Sequence, residues 1–595
     1  MHSNVTLLTA DPGGVVEQNL VKLIEFMGGT VQLVILTGDR IGGGEMLNRV
    51  VPAGGCVIIP ADLLDRGLVL ILRRLKVRVL VYGFDPTEKS GALLKALTHD
   101  SLIGVEQHDS SGQVRVASCR DICRQMSNLF FDQQAPPVRF VFQPNLKQGS
   151  WTALLSIGDR PFFVGIQDED THWMLLTGNE IADLDASVPS GTSIMESFVG
   201  LAPIMMFLRS AAPDAFWHND KPSACFILDD PLLTQRYGFL LYEKLIALAD
   251  QLRFSISIAF IPWNYLRSQR QVTEMFVARP GRCSLSIHGC DHTWGEFGSG
   301  DPIALRDKAE LALYRMTKHR ELTGVDFDKV MVFPQGIFSE VAMAALKSAG
   351  YMAAINSTPY PIDLEEPLQL RDLLRAAVTR FSDFPLLTRH YPRHLPELAF
   401  DLFLGKPAVL VEHHGFFQEG YEALGDTVMK LQEIEPRLSW TNPATICSRT
   451  CWKRINDSGD VQVSFFSDRF NLTNESSHRQ RYAFVPQRLT DAEITAVNID
   501  GRSLDIDRQD QNPVEGISLD AGESAEIYLE TDQPDRVTHS SPLYPTYQFG
   551  VFVRRRLSEF RDNYLDRSPF LSNSAVAVKQ LLGNRKSGTQ SLAGR

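Results

Sequence analysis

Between Ala224 and Trp440, short apolar runs rich in branched side chains recur, and the segments separating them are too long for hairpins. The runs begin near Ala224, Phe254, Cys283, Lys329, Tyr351, Ala408 and Arg437, with helical patterns such as 232–252 and 304–322 between them. Strands joined by helical crossovers run parallel, and a parallel sheet is covered on its faces. Seven such runs predict a TIM-like (β/α) barrel over 216–453. In a barrel of that kind the carboxyl ends of the strands face one mouth. The residues just after each apolar run are therefore where chemistry is expected.

The flanks follow other patterns. Residues 1–215 carry Val5–Leu8, Val31–Leu36, Cys56–Ile59 and Val77–Tyr82 as candidate parallel strands, with helices at Glu17–Met27 and Gly91–Leu97. This reads as a doubly wound, flavodoxin-like α/β unit. A β-rich extension (Val138–Phe142, Pro161–Ile166) and a helix at Ser193–Arg209 complete it. Gly42-Gly43-Gly44 is no phosphate loop, because no Gly-x-Gly-x-x-Gly follows a strand. Over 454–535 the period changes to two: Val461–Phe466, Arg481–Val485, Ile494–Val497 and Ala525–Leu529, separated by turn residues, predict a C-terminal β-sandwich. Residues 536–595 are expected to hold one amphipathic helix, with Phe552, Leu557, Phe560 and Tyr564 near one face and Arg554, Arg555, Arg556 and Arg561 on others. Disorder is expected from Gly583 onward. The expected fold class is thus a multidomain α/β chain.

Composition narrows the function classes. Hydrophobic residues make up 44% of the 595, ample for several cores. A formal charge of −12 argues against a generic binder of nucleic acid or anionic membrane, so no nucleic-acid partner is expected. The apolar stretch Phe198–Leu208 is shorter than the ~20 residues a spanning helix needs, so no transmembrane segment is expected. Met1–Asp11 lacks a positively charged region and does not read as a signal peptide, which points to the cytoplasm. The eight cysteines, including the Cys119/Cys123 and Cys447/Cys451 pairs, lack zinc-finger companions and are expected as free, mostly buried thiols.

The chemistry-bearing residues fall at the ends of the central runs. Ala224–Leu228 ends in Asp229-Asp230, two adjacent carboxylates that are costly beyond an apolar strand unless they bind a cation or move protons. Taken alone, the pair reads more readily as a helix cap before Pro231. Cys283–Ile287 ends in His288-Gly-Cys-Asp-His292, two imidazoles spaced to converge on one metal. Val332-Phe333-Pro334-Gln335-Gly336 makes a tight turn, and Ala408–Glu412 ends in His413-His414, of which one is expected to point into the mouth.

Asp-Asp, His-x3-His, a Pro-containing turn and a late His, in that order, resemble the polysaccharide deacetylase family: the NodB homology domain of carbohydrate esterase family 4, here in a divergent form with added modules. The resemblance covers about residues 220–440. It implies that Asp229 is the catalytic base and that Asp230, His288 and His292 hold a divalent metal, zinc first. It implies that backbone around Pro334, Gln335 and Gly336 helps hold the oxyanion, and that His413, with His414 as alternative, is the general acid. The family's usual third-motif Arg is absent, with Val332 in its place, and its fourth motif has only a faint echo in Leu438–Trp440. Arg393 is a candidate replacement cation at the mouth, although a solvated basic loop is the commoner reading of Thr388–His394. The implied activity is metal-dependent hydrolysis of acetamide groups on an N-acetylhexosamine-containing exopolysaccharide or cell-envelope glycan, with polysaccharide-biosynthesis proteins as candidate partners and export expected by family analogy. The competing expectations are a catalytically degenerate glycan-binding or scaffold protein and a related amidohydrolase of small amides. Tyr482, Phe484 and Tyr528 are candidate sugar-stacking residues, although aromatic strand residues are more often core.

Overall fold

The computed structural model describes residues 4–36, 47, 51, 54–145, 149, 151–168, 171–487, 494–499, 502–504, 516–529 and 545–567. The glycine triplet at 42–44 and the stretch from Gly583 lie outside the described residues.

Nine strands form one N-terminal sheet: β1 Asn4–Thr9, β2 Thr30–Ile35, β3 Cys56–Pro60, β4 Arg78–Phe84, β5 Leu102–Val116, β6 Phe130–Pro144, β7 Trp151–Ile157, β8 Arg160–Asp168 and β9 Thr171–Thr177. Their order is β2-β1-β3-β4-β9-β8-β7-β5-β6. The expected parallel unit is its first half, with β9 joining β4 in parallel. The expected β-rich extension is its second half, antiparallel throughout; only two residues separate β7 from β8 and β8 from β9, too few for a parallel crossover. The helix Phe198–Ala211 is apolar all round and buried from Phe198 to Arg209. Phe198 packs its ring on Phe131 of the sheet and on Phe400 of a helix flanking the barrel. The stretch Ile194–Ala211 is long and apolar enough to cross a membrane, yet 72% of it is buried inside the fold, as befits a core helix.

The central strands are β10 Ser223–Asp229, β13 Ile256–Phe260, β14 Cys283–His288, β15 Val330–Val332, β16 Ala353–Asn356, β17 Leu386–Thr388 and β18 Ala408–His413; a small hairpin, β11 Arg236–Tyr237 and β12 Leu240–Leu241, lies between the first two. They pair in parallel in the order β17-β16-β15-β14-β13-β10-β18. The ring closes just past β17, where His390 N donates to Val409 O (2.9 Å) and Val411 N donates to His390 O (3.0 Å). Two sequence expectations change here. The run at Arg437 is no wall strand: β19, Ser439–Trp440, pairs only with the first residues of β10, whose neighbours β13 and β18 already occupy the rest. The missing wall strand is β17, three residues behind Pro385 and too short for a periodic signal. The helix expected from 232 begins only at Tyr242, because the β11/β12 hairpin occupies the start of that crossover.

Eight further strands follow: β20 Cys451–Ile455, β21 Val461–Phe465, β22 Arg469–Thr473, β23 Gln480–Pro486, β24 Ile494–Ile499, β25 Arg502–Leu504, β26 Ile517–Leu519 and β27 Ser524–Leu529. They form two four-stranded sheets, β20-β21-β23-β26 and β22-β27-β24-β25. One apolar cluster draws on both, with Phe465 of one sheet stacked on Phe470 of the other at 4.7 Å between ring centres. Tyr482 and Phe484 are buried in that cluster, where no sugar reaches them, and Tyr528 O–H donates to Glu526 (2.7 Å). All eight cysteines are free, and all but Cys119 are buried.

Candidate metal centre at the barrel mouth

Asp229 ends β10 and is 2% exposed. Arg389, one residue past β17, grips it with both guanidinium ends: Nη1 donates to Oδ1 (2.8 Å) and Nη2 to Oδ2 (2.7 Å). Arg389 is itself 5% exposed and is steadied by Nε donating to Ser357 Oγ (3.3 Å). Burial pushes the Asp229 carboxyl upward, but the charges of Arg389 and then His288, with the Arg389 hydrogen bonds, outweigh it and hold the group below the usual carboxylate range. A bidentate, buried pair of this kind fixes both ionisation and orientation. Arg393, the candidate cation named from sequence, lies over the Tyr391 ring at 4.3 Å. The signal for Arg389 was its place directly behind an apolar run, hidden because that run is so short.

Asp230 turns the other way. Its backbone sits at φ +82°, a region that disfavours side chains bearing a Cβ, and this turn aims its carboxylate across the mouth at β14. Oδ1 lies 3.0 Å from His292 Nε2 and 3.4 Å from His288 Nε2. The three ligand atoms all fall within 4.8 Å of one another. Burial raises the Asp230 carboxyl and the two imidazoles lower it, with a net displacement well below its ordinary value.

The histidines are positioned from behind. The His288 ring donates through Nδ1 to the Val332 carbonyl (2.9 Å), which turns Nε2 toward Asp230. Past His288 the loop wraps around one buried carboxylate: Glu296 accepts from the backbone N–H of Cys290 (3.0 Å), Asp291 (2.8 Å) and His292 (3.1 Å). Gly289, at φ +64°, is required there, since a Cβ would strike Glu296 and the Pro334 ring. His292 is left at φ +56°, its ring beside the Gln335 amide, whose Nε2 is 3.3 Å from Nδ1. The Pro334–Gly336 turn thus backs one of the histidines, with Gln335 itself at φ +55°. The Asn356 amide donates to Gly336 O (2.9 Å), pinning that turn.

The two late histidines diverge. His413 ends β18 with its side chain 47% exposed and Nε2 4.0 Å from Asp229 Oδ2. His414 is buried between Tyr237 and Phe239 and faces Asp562, 3.6 Å away, on the tail helix. Alternation along an extended chain sends the neighbours to opposite sides, and it is His413 that shares the mouth with Asp229.

No family model matches this sequence, and a comparison with curated proteins finds no match. Among solved structures, the chain is similar to a family 4 carbohydrate esterase from Streptomyces lividans, at 8% identity, over 37% of this chain and 92% of that one, with a TM-score of 0.24. It is similar to a variant of a peptidoglycan deacetylase from Bacillus subtilis at 6% identity, over 38% of this chain and 90% of that one, TM-score 0.24. A family 4 esterase from Streptococcus mutans matches at 14% identity, over 37% of this chain and 86% of that one, TM-score 0.22. Each of these likenesses covers somewhat more than a third of this chain, with two family 4 carbohydrate esterases and one peptidoglycan deacetylase.

Proposed function

We propose that this chain is a metal-dependent N-deacetylase, hydrolysing acetamide groups of an N-acetylhexosamine-containing exopolysaccharide or cell-envelope glycan. The observation that carries the reading is the contrast between two adjacent carboxylates: one neutralised by a buried arginine, the other aimed at two imidazoles. The donor set fits a cation. His288 Nε2 and His292 Nε2 both face the Asp230 carboxylate, and the three ligand atoms lie within 4.8 Å of one another. A nearly buried carboxylate facing two imidazoles is an arrangement that a divalent cation can draw together. Two imidazoles and one carboxylate are a set that zinc takes, with a position left for solvent or substrate. Bound there, a divalent ion supplies Lewis acidity toward a carbonyl and makes water easier to deprotonate.

The chain's own groups then divide the work. Asp229, kept ionised by Arg389, takes the proton of the attacking water. Pro334 has no N–H and Gly336 N already donates to Phe333 O (3.2 Å), so Gln335 N–H is the turn's candidate for stabilising the charge that develops on the carbonyl oxygen. His413 gives its proton to the departing amine. A sugar polymer suits the open mouth: Trp294, two residues past His292, is 79% exposed and offers an aromatic face to a sugar ring. The test is acetate release from N-acetylglucosamine oligomers by the zinc-loaded chain. Acetate release that disappears in Asp229→Asn supports the reading. Glycan binding with no acetate release, across several metals and substrates, assigns the barrel a scaffold role instead.

A further inference from the structure

The tail helix Pro545–Phe560 and the wider turn Arg561–Leu565 that extends it meet the barrel through their polar side. Tyr547 O–H donates to Asp291 (2.7 Å), Glu559 accepts from Arg267 (2.7 Å to Nη2), Asp562 accepts from Tyr237 O–H (2.6 Å), and Gly238 N donates to Asn563 (2.8 Å). The opposite side is open and apolar. Phe549 is 68% exposed, Leu557 63%, Phe560 51% and Tyr564 63%, with Val553 among them. At ~100° per residue these five form one stripe about 80° wide. A helix on a soluble protein turns such a stripe inward; here it faces out.

The edges of the stripe are cationic. Arg554 and Arg561 run along one side and Arg556 along the other, all exposed, although Arg561 also donates to Asp562 Oδ1 (2.7 Å) and Arg556 lies 3.5 Å from Glu559 Oε2. Of the three acids in 545–567, Glu559 and Asp562 are turned inward, their side chains 12% and 3% exposed, which leaves Asp566 beyond the last turn. The sequence from 568 to 595 adds Lys579, Arg585, Lys586 and Arg595 and no acid at all. In a chain of net charge −12 this is a local reversal of sign.

We propose that this arginine-edged apolar ridge docks the protein on an anionic lipid surface. The helix lies in the interface plane, with Phe549, Leu557 and Phe560 entering the acyl boundary and the arginines at the lipid phosphates. Charge complementarity selects this occupant. A second copy packed through the same stripe would bring two sets of arginine edges together. An anionic polymer would engage the arginines but leave Val553 and Leu557 in water. The inference is independent of the reaction proposed above.

Vesicle flotation of the full chain tests it, with pure phosphatidylcholine and with phosphatidylcholine–phosphatidylglycerol mixtures. The expected result is flotation with the anionic vesicles only, released by high salt. Leu557→Glu/Phe560→Glu, at exposed positions, abolishes it while leaving the thermal transition in place, and Arg554→Gln weakens it about five-fold. No flotation with anionic vesicles, or flotation unchanged in both variants, overturns the proposal. So does a dimer in light scattering that the Leu557→Glu/Phe560→Glu chain no longer forms, since the ridge is then a contact between copies.

Discussion

Asp229 and Asp328 stand at opposite ends of one barrel, each nearly without solvent, and differ in what surrounds them. At the mouth, Asp229 meets a bidentate arginine and stays ionised. At the other end, Asp328 precedes β15, where Ser284 and the backbone of Ala444 are too little to offset dehydration, and burial pushes its carboxyl up to about 7. Among the described residues its Oδ2 has no hydrogen-bond partner. The same apolar wall therefore gives a fixed anion at one end and a group that titrates near neutrality at the other. What separates them is a cation delivered by β17, so charge at the mouth is placed by the fold and not by exposure.

The sharpest way to break this contrast is to remove the anion at the mouth. Asp229→Asn is expected to lower the rate of acetate release by about 10²–10⁴-fold, with metal content by elemental analysis unchanged. Retention of the wild-type rate removes Asp229 from the role of base. Next come the late histidines: His413→Gln lowers turnover by about 10²-fold, whereas His414→Gln chiefly costs stability, read by thermal denaturation, because that ring is packed against the tail helix.

Arg389→Gln probes the partner instead of the acid. With the cation gone, burial still acts on Asp229, so its carboxyl rises and the acid limb of kcat/KM moves to higher pH; the rate at pH ~6 falls more than the rate at pH ~8. The uncompensated charge costs about 3–5 kcal/mol of stability, and Asp229→Asn in the same chain recovers much of it without recovering turnover. The smallest effect belongs to the other end. Asp328 is raised in the folded state, so between the unfolded carboxylate value near ~4 and about 7 the folded chain holds the extra proton and stability falls as pH rises. Asp328→Asn flattens that slope in thermal melts from pH ~5 to ~8 and leaves acetate release as it was.

The contrast also explains what the sequence disclosed. Asp229-Asp230 and His288-x3-His292 were legible because each follows a run long enough to read as a strand, and a strand end in a barrel is a mouth position. Arg389 was not, since three residues after a proline carry no period, and Arg393, four positions on, was the cation singled out instead. The choice between His413 and His414 was open in sequence, because alternation says that they differ but not which way β18 is rotated. The loop held by Glu296 and the tail helix seated on Asp291 and Tyr237 depend on partners as many as 325 positions apart, which no local pattern encodes.

The central claim is that Asp230, His288 and His292 hold one divalent ion beside an arginine-locked Asp229. A crystal structure of the zinc-loaded chain, with anomalous data at the zinc edge, tests it most directly. The account predicts a single peak within ~2.0–2.2 Å of Asp230 Oδ1, His288 Nε2 and His292 Nε2, with Asp229 still bonded to Arg389. A peak at another cluster, or none at saturating zinc, would contradict it.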